Sequence, residues 1–173
     1  DFALAHAAMK KLWGDDVAVV DPMSGGGSIP LEAARVGVRF LRGESKVLEF
    51  GGSPINFAGV DYQPMHSDYL ENAGELVQLG MPNVLLSHNP DVFPIARQKG
   101  FDLTLSGHTH GGQITFEVLH QNVSIARFYT PYVYGLYEED GASAYVTRGI
   151  GTVGVPARLG APPEVSLIRL CAI

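Results

Sequence analysis

The chain contains a single cysteine, Cys171, so no internal disulfide can form and the fold must rest on packing alone. No apolar run approaches the roughly eighteen residues that a membrane-crossing helix needs. Basic residues are scarce: 12 Lys and Arg stand against 18 Asp and Glu, for a net charge of −6. That balance, with an isoelectric point near 5.4, argues against a nucleic-acid partner, whose binding surfaces are normally basic. There is no internal repeat and no low-complexity tract. No basic start followed by an apolar stretch marks a secretory leader, so a reducing cytoplasm is the expected location, with peripheral membrane association left open. At 173 residues and 46% hydrophobic content, one compact domain with a substantial core is expected and two complete ones do not fit. Nothing in the sequence sets an oligomeric state.

What the sequence does have is concentrated at the ends of two short apolar runs. Val84-Leu85-Leu86-Ser87 leads into His88-Asn89-Pro90, and Leu103-Thr104-Leu105-Ser106 leads into Gly107-His108-Thr109-His110-Gly111-Gly112. Both read as buried strands that stop at a loop and display imidazoles there. Neutral imidazole is the commonest metal ligand, and strand ends of layered α/β proteins are where sites gather. A lone histidine in such a place is more simply a polar cap. Three of them, His88, His108 and His110, with two glycines that allow close backbone approach, point instead to a metal or phosphate site.

These two segments resemble the C-terminal signature motifs of the calcineurin-like metallophosphoesterases: Ser87-His88-Asn89-Pro90-Asp91 and Ser106-Gly107-His108-Thr109-His110-Gly111-Gly112-Gln113. The tail is similar to a bacterial subgroup of that family in Tyr134-Gly135-Leu136-Tyr137, Thr147-Arg148-Gly149-Ile150-Gly151-Thr152, Pro156-Ala157-Arg158 and Pro162-Pro163-Glu164-Val165. The resemblance runs from about Val47 to Ile173. It implies a layered α/β sandwich with a mixed sheet, hydrolysis of a phosphate ester on a small phosphorylated substrate, and two divalent metals (Mn, Fe or Zn). By the same resemblance, His88 and His108 bind the second metal and His110 the first, and the three imidazoles converge at one mouth of the sheet as catalytic and metal residues. Paired ions neutralise phosphate charge, activate water and stabilise the leaving oxygen.

The remaining ligands of that family come from its N-terminal half, as an Asp-x-His pair, a Gly-Asp and a Gly-Asn-His. No Asp-x-His occurs in this chain, no asparagine precedes a histidine, and Gly14-Asp15, the one Gly-Asp, lies in an unrelated context. The expectation is therefore a phosphoesterase lacking its first half, holding at most one ion and weakly active or inactive, with a non-catalytic chimeric remnant as an alternative.

The front of the chain reads differently. Asp16-Val17-Ala18-Val19-Val20-Asp21-Pro22-Met23-Ser24-Gly25-Gly26-Gly27-Ser28-Ile29-Pro30-Leu31-Glu32-Ala33-Ala34 has the pattern of a strand, a glycine loop and a helix. It resembles the first βα unit of an S-adenosylmethionine-dependent DNA or RNA methyltransferase, in which Asp21, Gly25 and Gly27 would cradle the cofactor. Such a domain needs its whole doubly wound sheet, and no catalytic Asn-Pro-Pro-Tyr or Asp-Pro-Pro-Tyr follows. The expected division is a methyltransferase-like segment over 1–46 and a phosphoesterase-like portion over 47–173, with Leu41–Lys46 as the seam. A recombined gene, a truncation or an engineered chimera would each produce it.

Periodicity supplies the remaining expectations. These are a hairpin of Val47–Phe50 and Ile55–Val60, a helix over Asp68–Leu79, a helix over Asp91–Gln98 stopped by Gly100, and strands at Gln113–Val118, Ser143–Thr147 and Val165–Leu170. Cys171 is expected in the core of that last strand. His6, His66 and His120 read as surface residues. Asp61 reads as a minor candidate for touching a metal or orienting a histidine, and Asn89 and Asp91 as helix caps. Tyr134, Tyr137 and Arg148 read as packing residues that could also line a pocket. Labelled S-adenosylmethionine is expected not to bind detectably, because the rest of its cleft is absent. Micromolar binding would reverse the order of the two enzyme readings.

Overall fold

The computed structural model describes residues 40–63, 68–118 and 121–171. The front segment with Asp21, Gly25 and Gly27, and the histidines His6, His66 and His120, lie outside the described residues.

The expected hairpin forms as β1 (Glu44–Phe50) and β2 (Ser53–Gly59), antiparallel and closed by the tight Gly51-Gly52 turn, with Phe50 opposite Ser53. The sequence seam over residues 41–46 thus runs into the first residues of β1. The two histidine-bearing runs form β3 (Asn83–Leu86) and β4 (Leu103–Ser106). Between them lies α1 (Phe93–Lys99), entered through a short 3-10 turn at Pro90–Val92 and ended at Gly100, whose amide closes onto the Ala96 and Arg97 carbonyls. A separate two-stranded ribbon follows, β5 (Thr115–Val118) with β6 (Gln121–Ser124). The last hairpin is β7 (Gly135–Glu139) with β8 (Ala142–Val146).

The main sheet has the order β1-β2-β3-β4-β8-β7. Its inner pairs β2-β3, β3-β4 and β4-β8 are parallel and its outer pairs antiparallel, so it is the mixed α/β sheet that the sequence predicts. Side chains alternate between faces along each strand, and the core divides accordingly. Ala58 and Leu85 face α1 and pack with Leu70, Ala73, Val92, Ala96 and Phe101. Phe93 carries the same layer onto Ala142, Ala144 and Val146 of β8, with Tyr132 edge-on against its ring. Phe57, Val84 and Leu105 form a second cluster with Leu48, Ile55, Leu86, Leu103 and Tyr145.

Two expectations from periodicity are corrected. Asp68–Leu79 is not a helix: only a 3-10 turn forms, at Ala73–Leu76, and Leu70 and Asn72 have φ of 60° and 67°. The cause is Asn83, fully enclosed at the start of β3. Its side-chain oxygen accepts from the Gln78 amide, and its Nδ2 donates to the Gln78 and Met81 carbonyls. Those groups therefore bond across a loop instead of along a helix. Val165–Leu170 forms no regular strand and pairs with no strand among the described residues. Val165 and Leu167 are 89% and 91% exposed, and Cys171 is exposed where a core position was expected. An apolar alternation specifies a strand only when a ladder partner exists beside it.

Truncation in the layer under α1 is expected to be costly. Leu85→Ala, at a side chain with no exposure, should destabilise the fold by about 2–5 kcal/mol in urea unfolding. Leu136→Ala on the outer strand β7, where the side chain is 60% exposed, should change it by about 0.5 kcal/mol or less. Equal losses at the two positions would contradict this packing.

Candidate functional site

The ends of β3 and β4 are tied together by backbone. The Ser87 amide donates to the Leu105 carbonyl at 3.1 Å, and the Gly107 amide to the His88 carbonyl at 3.2 Å. On the far side the Thr147 amide donates to the Ser106 carbonyl at 2.9 Å. Beyond these bonds the two loops emerge side by side. Asn89 is fully buried below them: its side-chain oxygen accepts from the Asp91 amide at the start of the 3-10 turn, and its Nδ2 donates to the Gln63 carbonyl at 3.0 Å. Asn89 is thus the cap that the sequence predicts, whereas Asp91 lies inside the turn.

This frame brings His88 and His108 into direct contact. His108 Nδ1 stands 3.0 Å from His88 Nε2, and the ring centroids are 4.8 Å apart. Tyr62 walls the pair, its ring 5.8 Å from that of His88 and 6.4 Å from that of His108. Burial, followed by the neighbouring His88, holds His108 below the usual imidazole range. That favours the unprotonated ring, which is the form that ligates metal.

His110 is held from another direction. Its Nδ1 lies 3.0 Å from the Gly151 carbonyl oxygen, and a carbonyl can only accept, so in this contact Nδ1 carries the hydrogen. The loop that carries Gly151 is fastened on both sides. Gln113 donates to the Val153 and Val155 carbonyls at 2.9 and 2.8 Å and accepts from the Val153 amide at 2.7 Å. Arg158 donates to the carbonyls of Gly151, His110, Ala161 and Arg148. Burial, then the neighbouring Arg148, lowers the Arg158 guanidinium from its usual range. The structure thus pairs His88 with His108 and anchors His110 separately. Among the described residues no three His, Cys, Asp or Glu side chains form a group able to hold a metal ion.

The loop is made of sparsely populated conformations. His108, His110 and Gln113 have φ of 69°, 53° and 49° although none is glycine, each at a cost of about 1 kcal/mol or more. Gly111 between them is required for space as well as angle, because a Cβ there would meet Arg148 Cγ at 2.7 Å.

Other expected residues take defined places. Asp61 is paired on the surface, where Arg42 donates to its carboxylate at 2.7 Å. The Tyr137 hydroxyl accepts from the Val133 and Tyr134 amides, a packing role as expected. Arg148 lies 4.4 Å above the Tyr134 ring and 3.3 Å from the Glu164 carboxylate. Glu164 itself accepts from Tyr145 and Ser166, both at 2.6 Å, which pins the extended tail to β8. The sequence reading gave no role to Tyr62, Gln113, Arg158 or Glu164. The last three lie within recognised motifs, but they act through contacts that spacing does not reveal.

Relatives of this chain are found among curated bacterial proteins. It is 39% identical over 137 residues to the protein YpbG of Bacillus subtilis, a match covering 78% of this chain and 49% of the relative. It is 40% identical over 92 residues to an uncharacterised metallophosphoesterase of Helicobacter pylori, covering 51% and 23% of the two chains. To the phosphodiesterase YaeI of Escherichia coli it is 34% identical over 93 residues, covering 54% and 34%. The chain spans about half or less of the length of these relatives. No family model and no solved structure matches it.

The Glu164 cluster gives the fold a defined acid response. Burial works to raise this carboxyl, but hydrogen bonds from Ser166 and Tyr145, the Arg148 charge and the Thr147 hydroxyl outweigh it and hold it below the usual range. The unfolded chain then takes up the proton first as pH falls. The contribution is full above about pH 4.3 and is lost as the pH drops through the depressed folded value. Glu164→Gln is therefore expected to lower Tm at pH 7, with the gap to the parent chain closing toward pH 3. A gap that stays constant across that range would contradict the assignment.

Proposed function

We propose that this chain, which belongs to the calcineurin-like metallophosphoesterase family, carries the C-terminal part of the ligand set of a metal-dependent phosphoester hydrolase, with His88, His108 and His110 as its metal-facing residues. The observation that carries this reading is the 3.0 Å separation of His108 Nδ1 and His88 Nε2. Two nitrogens bound to one ion at about 2.1 Å stand about 3.0 Å apart at a right angle and about 3.4 Å apart at the tetrahedral angle. The pair therefore fits two neighbouring positions of one coordination shell. Protons compete with an ion for imidazole nitrogens, so binding improves as pH rises.

When bound, a divalent ion (Mn, Fe or Zn) would neutralise phosphoryl charge and activate water. The chain's own part is to hold and orient. His88 and His108 present ring nitrogens from two strand ends, Tyr62 closes one side, and His110 is steadied by Gly151. Neutral imidazoles bring no negative charge, and Asp61, the carboxylate closest in sequence to Tyr62, is engaged by Arg42. Among the described residues no carboxylate bridges the site to offset the repulsion that a second ion would face.

Our reading is thus one ion at most per chain and phosphodiester turnover near background, with a small phosphoester as the substrate class. The printed name of the Escherichia coli relative, phosphodiesterase, supports that class. The division into 1–46 and 47–173 and a cytoplasmic location belong to the same reading. Among the described residues no helix is long and apolar enough to cross a membrane.

Elemental analysis after equilibration with Mn²⁺ or Zn²⁺ is expected to give no more than one ion per chain, lost in His88→Ala and in His108→Ala. Two tightly held ions, with turnover that His108→Ala abolishes, would overturn the one-ion reading. Complete absence of bound metal from the parent chain would overturn the metal assignment itself.

A further inference from the structure

Arg158 is the most fully engaged cation among the described residues, and its five close hydrogen bonds all go to backbone carbonyls. Nε donates to the Gly151 carbonyl at 3.0 Å; one terminal nitrogen donates to the His110 and Ala161 carbonyls at 3.2 and 3.0 Å, and the other to the Arg148 and Gly151 carbonyls at 2.8 and 2.5 Å. A guanidinium has five N–H groups, and these five bonds use them all. Arg158 therefore has no donor left for a phosphoryl oxygen, although an arginine near a phosphoesterase motif invites that role.

What the five bonds accomplish lies at His110. The Gly151 oxygen receives two N–H groups of Arg158 and also faces His110 Nδ1 at 3.0 Å. The His110 carbonyl is held by the same guanidinium, so the backbone of this residue and the acceptor of its ring are fixed relative to one another. The Arg158 terminal nitrogen, 3.5 Å from His110 Nδ1, cannot donate to an atom that is itself donating. We propose that Arg158 is a positioning residue for His110: by fixing the Gly151 carbonyl it selects the Nδ1–H tautomer and leaves Nε2 as the lone-pair nitrogen of the ring. The proposal rests on the reading of His110 as a metal-facing residue, since an acceptor behind the ring is what fixes the tautomer and aim of a ligating imidazole.

Two-bond ¹H–¹⁵N correlation of the ¹⁵N-histidine-labelled chain, recorded without metal near pH 8, reads the tautomer directly. The parent chain is expected to show His110 as Nδ1–H over Nε2–H by about tenfold. In Arg158→Ala that ratio should fall several-fold while the His88 and His108 signals keep their tautomers, and Arg158→Lys should fall between. Gly151→Ala keeps the carbonyl, and its added Cβ would lie 3.6 Å from His110 Cε1, so it should leave the ratio unchanged. His110 found as Nε2–H in the parent chain would overturn the proposal without any variant, as would an unchanged ratio in folded Arg158→Ala. A Zn²⁺ titration of the same samples should show binding about ten- to a hundredfold weaker in Arg158→Ala. If the parent chain takes up no Zn²⁺, the metal reading falls while the tautomer still decides the role of Arg158.

Discussion

The site depends on one short stretch of parallel pairing. Leu86 lies opposite Leu105 in the β3-β4 register, and two further backbone bonds carry the alignment past the strand ends into Ser87, His88 and Gly107. Parallel register is what brings the two loops out on the same edge of the sheet. A slip of one residue would turn Leu85 out of the layer under α1 and send the two imidazoles to opposite faces. The hydrophobic pattern that fixes the core thus also fixes the distance between two nitrogens that lie twenty positions apart in sequence.

The surroundings of that pair are built unevenly. On one side the support is buried side chain, with Asn89 under the loop and Ser87 and Ser106 at the strand ends, while the half-exposed Tyr62 lies against the rings. On the other side it is backbone carbonyl, gathered by Gln113 and Arg158 from a loop whose apolar side chains Ile150, Val153 and Val155 point into solvent. Shape there comes from hydrogen bonds alone. Apolar packing tolerates small shifts, whereas a guanidinium with every donor engaged allows few alternative arrangements.

Legibility in the sequence followed the type of interaction. The β1-β2 hairpin, β3, α1 and β4 were readable because alternating apolar residues are punctuated by Gly51-Gly52, Asn89-Pro90 and Gly100. His88 and His108 were readable because they follow such strands directly. The helix expected at Asp68–Leu79 failed because Asn83, outside the window, takes the loop's backbone groups. The strand expected at Val165–Leu170 failed because periodicity records which side of a segment is apolar and says nothing of whether a neighbour exists. Arg158, Gln113 and Glu164 were missed as contributors because their partners are carbonyls, or hydroxyls brought close only by the fold. For Asp61 the proximity to the strand end was visible in the sequence, but its partner Arg42 was not.

The extended tail has a consequence for how the protein behaves in solution. From Val165 to Leu170, although Ser166 is held to Tyr145, the large apolar side chains of Val165 and Leu167 face water with no strand alongside among the described residues. Peptide groups there with no backbone partner among the described residues are a template for edge-to-edge addition of another chain. The segment carries one charge, Arg169, to resist such pairing, and gatekeeping of this kind ordinarily relies on several charges or a proline within the segment. Self-association should grow with concentration and leave the sheet and the histidine pair intact.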